Sequence, residues 1–208
     1  MRTLLLALTL GAAGCLTPVS PPDRIVRLDA ARVTSVRTAL GSASGPAGQG
    51  VIVRQFADAG LTPLADGSFR AGPDGALAAG LVPGRNPVAR SSLVIVGAAA
   101  SHPEAATLLE VARLLAGRSR YEVAPERSVL FALWDNSIEA SQAIGAVRRS
   151  SVWPEDLVTD VLIVGEVPPT LSATPLDVAG PASVEAAVAQ IVEAARRPRL
   201  EADSLSAP

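Results

Sequence analysis

The chain has 208 residues, a formal net charge of −2, 49% hydrophobic residues and only 3% aromatics. That length suits one domain burying roughly 70% of its unfolded surface, with a core built mainly from Ala, Val, Leu and Ile. All 18 basic residues are arginines scattered along the chain, with no basic run and no aromatic platform, which excludes a nucleic-acid-binding surface. Asp29 to Leu40 reads as a helix with Val33, Val36 and Leu40 on one stripe. Gly41 to Gly48 is a small-residue loop; a second helix carries Val51, Ile52, Phe56 and Ala59 on one face, and Gly60 ends it. Ala76 to Val82 and Leu93 to Val96 read as strands around the turn-rich Pro83-Gly84-Arg85-Asn86-Pro87. A helix near Pro103 to Ala116, a strand Ser128 to Trp134, a helix Ile138 to Arg148, a strand Asp160 to Val164 and a helix Val184 to Ala195 follow. Short apolar runs alternating with helices predict an α/β domain of three layers.

Ahead of that domain, Arg2 is a positive n-region and Leu4 to Leu10 an apolar stretch too short to span a bilayer. Gly11, Ala12, Ala13 and Gly14 then lead to Cys15, the sole cysteine. Small residues ending at Gly-Cys resemble a bacterial lipobox, with Ala12 where that pattern prefers Leu. The resemblance implies lipidation of Cys15; secretion after a small-residue cleavage site is the alternative. The expected layout is a signal segment over 1–14, a lipidated cysteine and Pro-rich tether over 15–28, the domain over 29–197 and a polar tail over 198–208. The lipobox resemblance implies a place in the bacterial cell envelope, anchored to the membrane on the exported side.

Several segments, in order, resemble the di-zinc aminopeptidases (metallopeptidase family 28). They are Gln55-Phe-Ala-Asp-Ala-Gly-Leu-Thr-Pro63, Leu81-Val-Pro-Gly84, Leu93-Val-Ile-Val-Gly-Ala98, Leu108 to Arg113, Ser128 to Trp134, and Thr174-Pro-Leu-Asp177 with Pro181-Ala-Ser-Val184. The resemblance implies a phosphorylase/hydrolase-like three-layer sandwich with a mixed sheet, reduced in strand number. It also implies a site at the carboxyl ends of the strands. The family holds two zinc ions, which turn a bridging water into a nucleophile, and a further Glu acts as general base.

Aligned on those segments, the ligand positions have lost their chemistry. His-x-Asp falls on Ala99-Ala100-Ser101, the loop for the bridging Asp is absent, the Glu-Glu pair falls on Ser137-Ile138, and the remaining ligands fall on Leu162 and Ala173. Methyl groups do not coordinate zinc. Instead, Ser101 with Glu104, and Asn136 with Glu139, fit capping boxes at helix starts. His102, the only histidine, reads as a first-turn surface residue, and no Gly-x-Ser-x-Gly elbow presents a nucleophile. Trp134 and Trp153 read as packing residues.

The resulting expectation is a non-catalytic, aminopeptidase-like envelope lipoprotein with a binding or accessory role. It has no catalytic residue, no metal and no cofactor of its own. Contacts around the former site would come from Ala99, Ser101, His102, Asp135, Asn136 and Glu139. Its partners would be the membrane through the anchor, a protein or peptide, and a second copy paired through an exposed sheet edge; nucleic acid is excluded. Two rivals stand beside it. One is an active metallo-aminopeptidase with ligands drawn from His102, Asp135, Glu139, Asp160 and Glu166. The other is a structural lipoprotein with a large apolar surface patch in place of a cleft.

Overall fold

The computed structural model describes residues 27–43, 45–64, 67–89, 92–119, 124–150, 158–179 and 181–196. The signal segment, Cys15, Trp153 and the tail lie outside the described residues, as does most of the tether. Within them the chain forms α1 (Ala30–Gly41), α2 (Gly45–Ala59), β1 (Arg70–Ala71), β2 (Leu77–Val82), β3 (Leu93–Ala99), α3 (Ala105–Ser119), β4 (Ser128–Trp134), α4 (Ala140–Ser150), β5 (Val158–Ile163), β6 (Thr174–Pro175) and α5 (Pro181–Ala194).

The six strands make one sheet in the order β1-β2-β4-β3-β5-β6. β2 runs antiparallel to both β1 and β4, while β4, β3, β5 and β6 are mutually parallel neighbours, so the sheet is mixed as expected. Alternation along the central strands splits the core in two. Val94, Val96, Ala98, Val129, Phe131 and Leu133 face α1, α2, α3 and α5. Leu93, Ile95, Leu130, Ala132 and Trp134 face the layer of α4, where Ala143, Ile144 and Val147 meet them. Gly97 is required here: a Cβ at that position would lie 2.6 Å from the Trp134 ring, which leans across from the adjacent strand.

Burial explains the helices. In α5, Val184, Ala187, Val188, Ile191 and Val192 follow the three-and-four spacing of a helix with one face on a core. α3 packs against α1, α2, α5 and the sheet, so it is apolar on most sides. Each fully buried leucine of α3 (Leu108, Leu114, Leu115) contributes about 1.5–3 kcal/mol to folding. The same burial encloses a polar group. The Glu110 side chain is 1% exposed, and it accepts hydrogen bonds from the Asp29 N–H at 2.8 Å and from Arg113 Nε and Nη2 at 2.8 and 2.5 Å. Arg113 also reaches the Arg27 carbonyl at 2.7 Å, so α3 fastens the incoming chain to the domain. The hydrogen bond to Glu110 is the main reason the Arg113 guanidinium titrates above its ordinary range.

Three expectations need correction. The stretch Gly41–Gly48 is not one loop, because α2 already begins at Gly45. Element bounds shift too: α3 and α4 each begin two residues later than predicted, at Ala105 and Ala140, α5 begins three earlier, at Pro181, and β3 runs three further, to Ala99. The two-residue strands β1 and β6 carry no periodic signal and were not anticipated. Gly60, by contrast, does follow the last turn of α2 with φ +71°, as expected of a terminating glycine.

The sheet edges differ. β2 is matched by β1, by Phe69 and by a reciprocal pair of bonds between Thr62 and Leu81. β5 is matched by β6 only at Leu162 and Ile163, which among the described residues leaves Val158–Val161 uncovered. No helix of the described residues is long and apolar enough to cross a membrane.

Candidate functional site

β3 and β4 are parallel neighbours that stop together, Ala99 opposite Trp134. Two turns therefore leave the sheet side by side at the carboxyl ends of the strands, the position where open α/β sheets bind ligands. The Ala100 N–H donates to the Trp134 carbonyl at 2.6 Å, which ties the first turn to the second. Asp135 is set by its own backbone: its N–H donates to the Ala76 carbonyl at 2.9 Å. That carbonyl also accepts from Gln49 Nε2 at 3.1 Å, and Gln49 is 1% exposed, so a buried amide of α2 underlies the site.

The side chains interlock. Asp135 Oδ1 accepts from the Ser137 N–H at 2.8 Å and from the Ser137 hydroxyl. The Ser101 hydroxyl of the first turn donates to Asn136 Oδ1 of the second. Facing this polar shelf is the junction of α1 and α2. Leu40, Gly41, Ala43, Gly45 and Gly48 form the far wall of a cleft of about 560 Å³, and Ala100, Ser101, Asp135, Asn136 and Ser137 form the near wall. Asp135 is the sole charged residue among the described lining residues, and no ion pair of the described residues includes it.

Of the six contact positions read from the sequence, Ser101, Asp135 and Asn136 meet in this cleft. Ala99 packs on the opposite core, beside Trp134. His102 turns toward the segment after β5: its Nδ1 accepts from the Glu104 N–H at 3.2 Å, and a Cβ at Gly165 would lie 2.9 Å from its ring. Glu139 is exposed at the start of α4.

The two capping boxes are also displaced. Ser101 bonds Asn136 and not the helix, while Glu104 directly precedes α3 and accepts from the Thr107 hydroxyl at 3.0 Å. Before α4 the box sits three residues on, with the Glu139 N–H donating to Gln142 Oε1 at 3.2 Å. Sequence reasoning missed Ser137 as a lining residue and missed the whole α1–α2 wall. The signal available was the run of small residues from Gly41 to Gly48, which lets two helices turn close to the strand ends.

Among the described residues, those at the mapped ligand positions do not fit two zinc ions. The mapped positions scatter: Leu162 is buried in one core, Ala99, Ile138 and Ala173 pack on the other, and only Ser101 and Ser137 reach the cleft. Nor do the rival ligands converge, for among the described residues no three His, Cys, Asp or Glu side chains gather where they could hold a metal ion.

No protein-family profile matches the chain, and no curated protein matches it. Solved structures with a similar fold do exist. A candidate Zn-dependent exopeptidase from Bacteroides vulgatus is 13% identical with a TM-score of 0.43, over 68% of this chain and 62% of that one. LapB from Legionella pneumophila is 16% identical with a TM-score of 0.40, over 67% of this chain and 43% of that one. The LapA aminopeptidase of the same organism is 12% identical with a TM-score of 0.40, over 64% and 42%. The chain therefore spans less than two thirds of the length of these structures.

Proposed function

We propose that this α/β domain is a binding protein on an aminopeptidase-like scaffold, working without zinc chemistry, and that Cys15 tethers it in the bacterial cell envelope. The observation that carries the binding reading is the lining of the cleft. One carboxylate, two hydroxyls and one amide stand opposite a wall of small and apolar residues. That set can hold and orient a ligand through hydrogen bonds and a single charge. It has no second acid to act as general base beside a metal-bound water, and no imidazole. The rival metallopeptidase reading draws its ligands from His102, Asp135, Glu139, Asp160 and Glu166, and among the described residues no three such side chains gather where they could hold a metal ion. The structural-lipoprotein reading needs an apolar patch, yet among the described residues Val88 is the one large hydrophobic side chain that is exposed.

Protein-observed NMR with a library of small fragments tests the proposal. Binding at the site shifts the amides of Gly41, Ala100, Ser101 and Asp135 to Ser137. Gly41→Leu should abolish those shifts, because the position lines the cleft and has open space beside its Cα. A library that leaves these amides unmoved, or chelator-sensitive aminopeptidase turnover by the wild-type protein, would sink the reading.

A further inference from the structure

We infer that the cleft selects a primary alkylammonium group. This rests on the binding reading above and adds the class of ligand. The first ground is charge. Three other concavities of the described surface each contain an acid and a base together: Arg148 with Asp160, Arg37 with Glu104, and Arg118 with Glu185. Of these four concavities, the cleft at the ends of β3 and β4 differs in carrying an acid, Asp135, with no base among its described lining residues. A ligand must bring the countercharge.

The second ground is the direction of the hydrogen bonds. The Ser137 hydroxyl spends its hydrogen on Asp135 Oδ1, and the Ser101 hydroxyl spends its own on Asn136 Oδ1. Both serine oxygens are left as acceptors, and Asp135 Oδ2 has no partner among the described residues. The shelf thus offers three acceptors from three side chains, the Asp135 carboxylate oxygen among them, against the amide NH2 of Asn136 as its one side-chain donor group, and the balance favours a cationic group rich in donors. An ammonium has three N–H donors and no acceptor.

The same geometry argues against other cations. A guanidinium gains its advantage by forking onto both oxygens of a carboxylate, and Oδ1 is already taken twice by Ser137. A hard metal ion takes six or more oxygen ligands, and with one free carboxylate oxygen and two neutral hydroxyls here it would have to draw most of them from water. Across the cleft, Leu40 and Ala43 offer an apolar surface along which the methylene stem of an alkylammonium would lie. Such a group comes either from a free small amine or from a lysine side chain on another protein.

Titration of the full chain with n-butylammonium, n-butylguanidinium, 1-butanol and the blocked peptide acetyl-Ala-Lys-Ala-amide, followed by NMR, decides the matter. Butylammonium should shift Ser101 and Asp135 to Ser137. It should bind at least about tenfold more tightly than 1-butanol and lose at least about tenfold in Asp135→Asn, the scale of a charge-assisted hydrogen bond. Asn keeps the acceptor that Ser137 uses, and Ser137→Ala, which removes one acceptor, should weaken binding a few-fold as a second check. Binding of the blocked peptide identifies a lysine side chain as the source; binding of butylammonium alone identifies a free amine. Equal binding of 1-butanol, or Asp135→Asn without effect, overturns the ammonium class and leaves the binding reading standing. A cleft that responds to none of these probes, nor to the fragment library, overturns both.

Discussion

Glu110 and Asp135 are two carboxylates in polar clusters of similar size, and they differ in almost everything that matters. Glu110 lies inside the helical layer with its side chain 1% exposed, and both oxygens are taken by Asp29 and Arg113. Asp135 stands half-buried at the rim of a cleft, with one oxygen engaged by Ser137 and no base among the described lining residues. A buried charge must be fully paired or it would not remain charged, so the completeness of the Glu110 cluster marks it as structural. The incompleteness of the Asp135 cluster is affordable only because water reaches it, and it leaves binding capacity unused.

Substitutions can break or sharpen that contrast. The largest effect belongs to Glu110→Ala. It strands Arg113 and the Asp29 N–H, and should lower unfolding free energy by about 3 kcal/mol in urea titration, with cleft binding intact in the folded fraction. Next come two glycines that report on space. Gly97→Ala pushes a methyl to 2.6 Å from Trp134 and should cost about 2 kcal/mol. Gly41→Leu meets open space at a helix end and should stay within about 0.5 kcal/mol of the parent while filling the cleft.

Asp135→Asn should also change stability by no more than about 0.5 kcal/mol, since Ser137 keeps its acceptor, so that its effect appears in ligand affinity alone. A stability loss there as large as that of Glu110→Ala would erase the distinction between the two clusters.

The smallest effect is at the surface pair Arg118–Glu185. The hydrogen bond from Arg118 holds the Glu185 carboxyl below its ordinary 4.5. A depressed folded value stabilises above the ordinary value, and that stabilisation is lost as pH falls through the folded one. Because the Glu185 side chain is 56% exposed, solvent screening limits this to about 0.5 kcal/mol. Acid melts of Glu185→Gln should therefore run just below the parent at neutral pH and converge with it in acid.

Where a short, near-continuous apolar run decides the structure, the sequence was sufficient. The strand Ser128–Trp134 was read with its observed bounds, because seven residues buried on both faces leave no other reading. Helix starts were less legible. Pro103 and Ser101 look like an initiation signal, yet Ser101 turns to Asn136, and His102 and Glu104 set the start of α3 instead. The beginning of α2 was hidden for a related reason: Gly45, Gly48 and Gly50 have poor helix propensity, which packing of Gln49, Ile52 and Phe56 overrides. For the cleft, Ser101, Asp135 and Asn136 of the near wall were readable because they closely follow two obvious strands, whereas Ala100 and Ser137 were not picked out. The far wall depends on a tertiary approach of the α1–α2 junction, and no local pattern encodes that.

Zinc content of the purified chain after zinc loading and dialysis, by elemental mass spectrometry, tests the central claim most directly. A cleft built from Ser101, Asp135, Asn136 and Ser137 predicts a stoichiometry near zero. One or two tightly held ions per chain would contradict the account and restore the metallopeptidase reading.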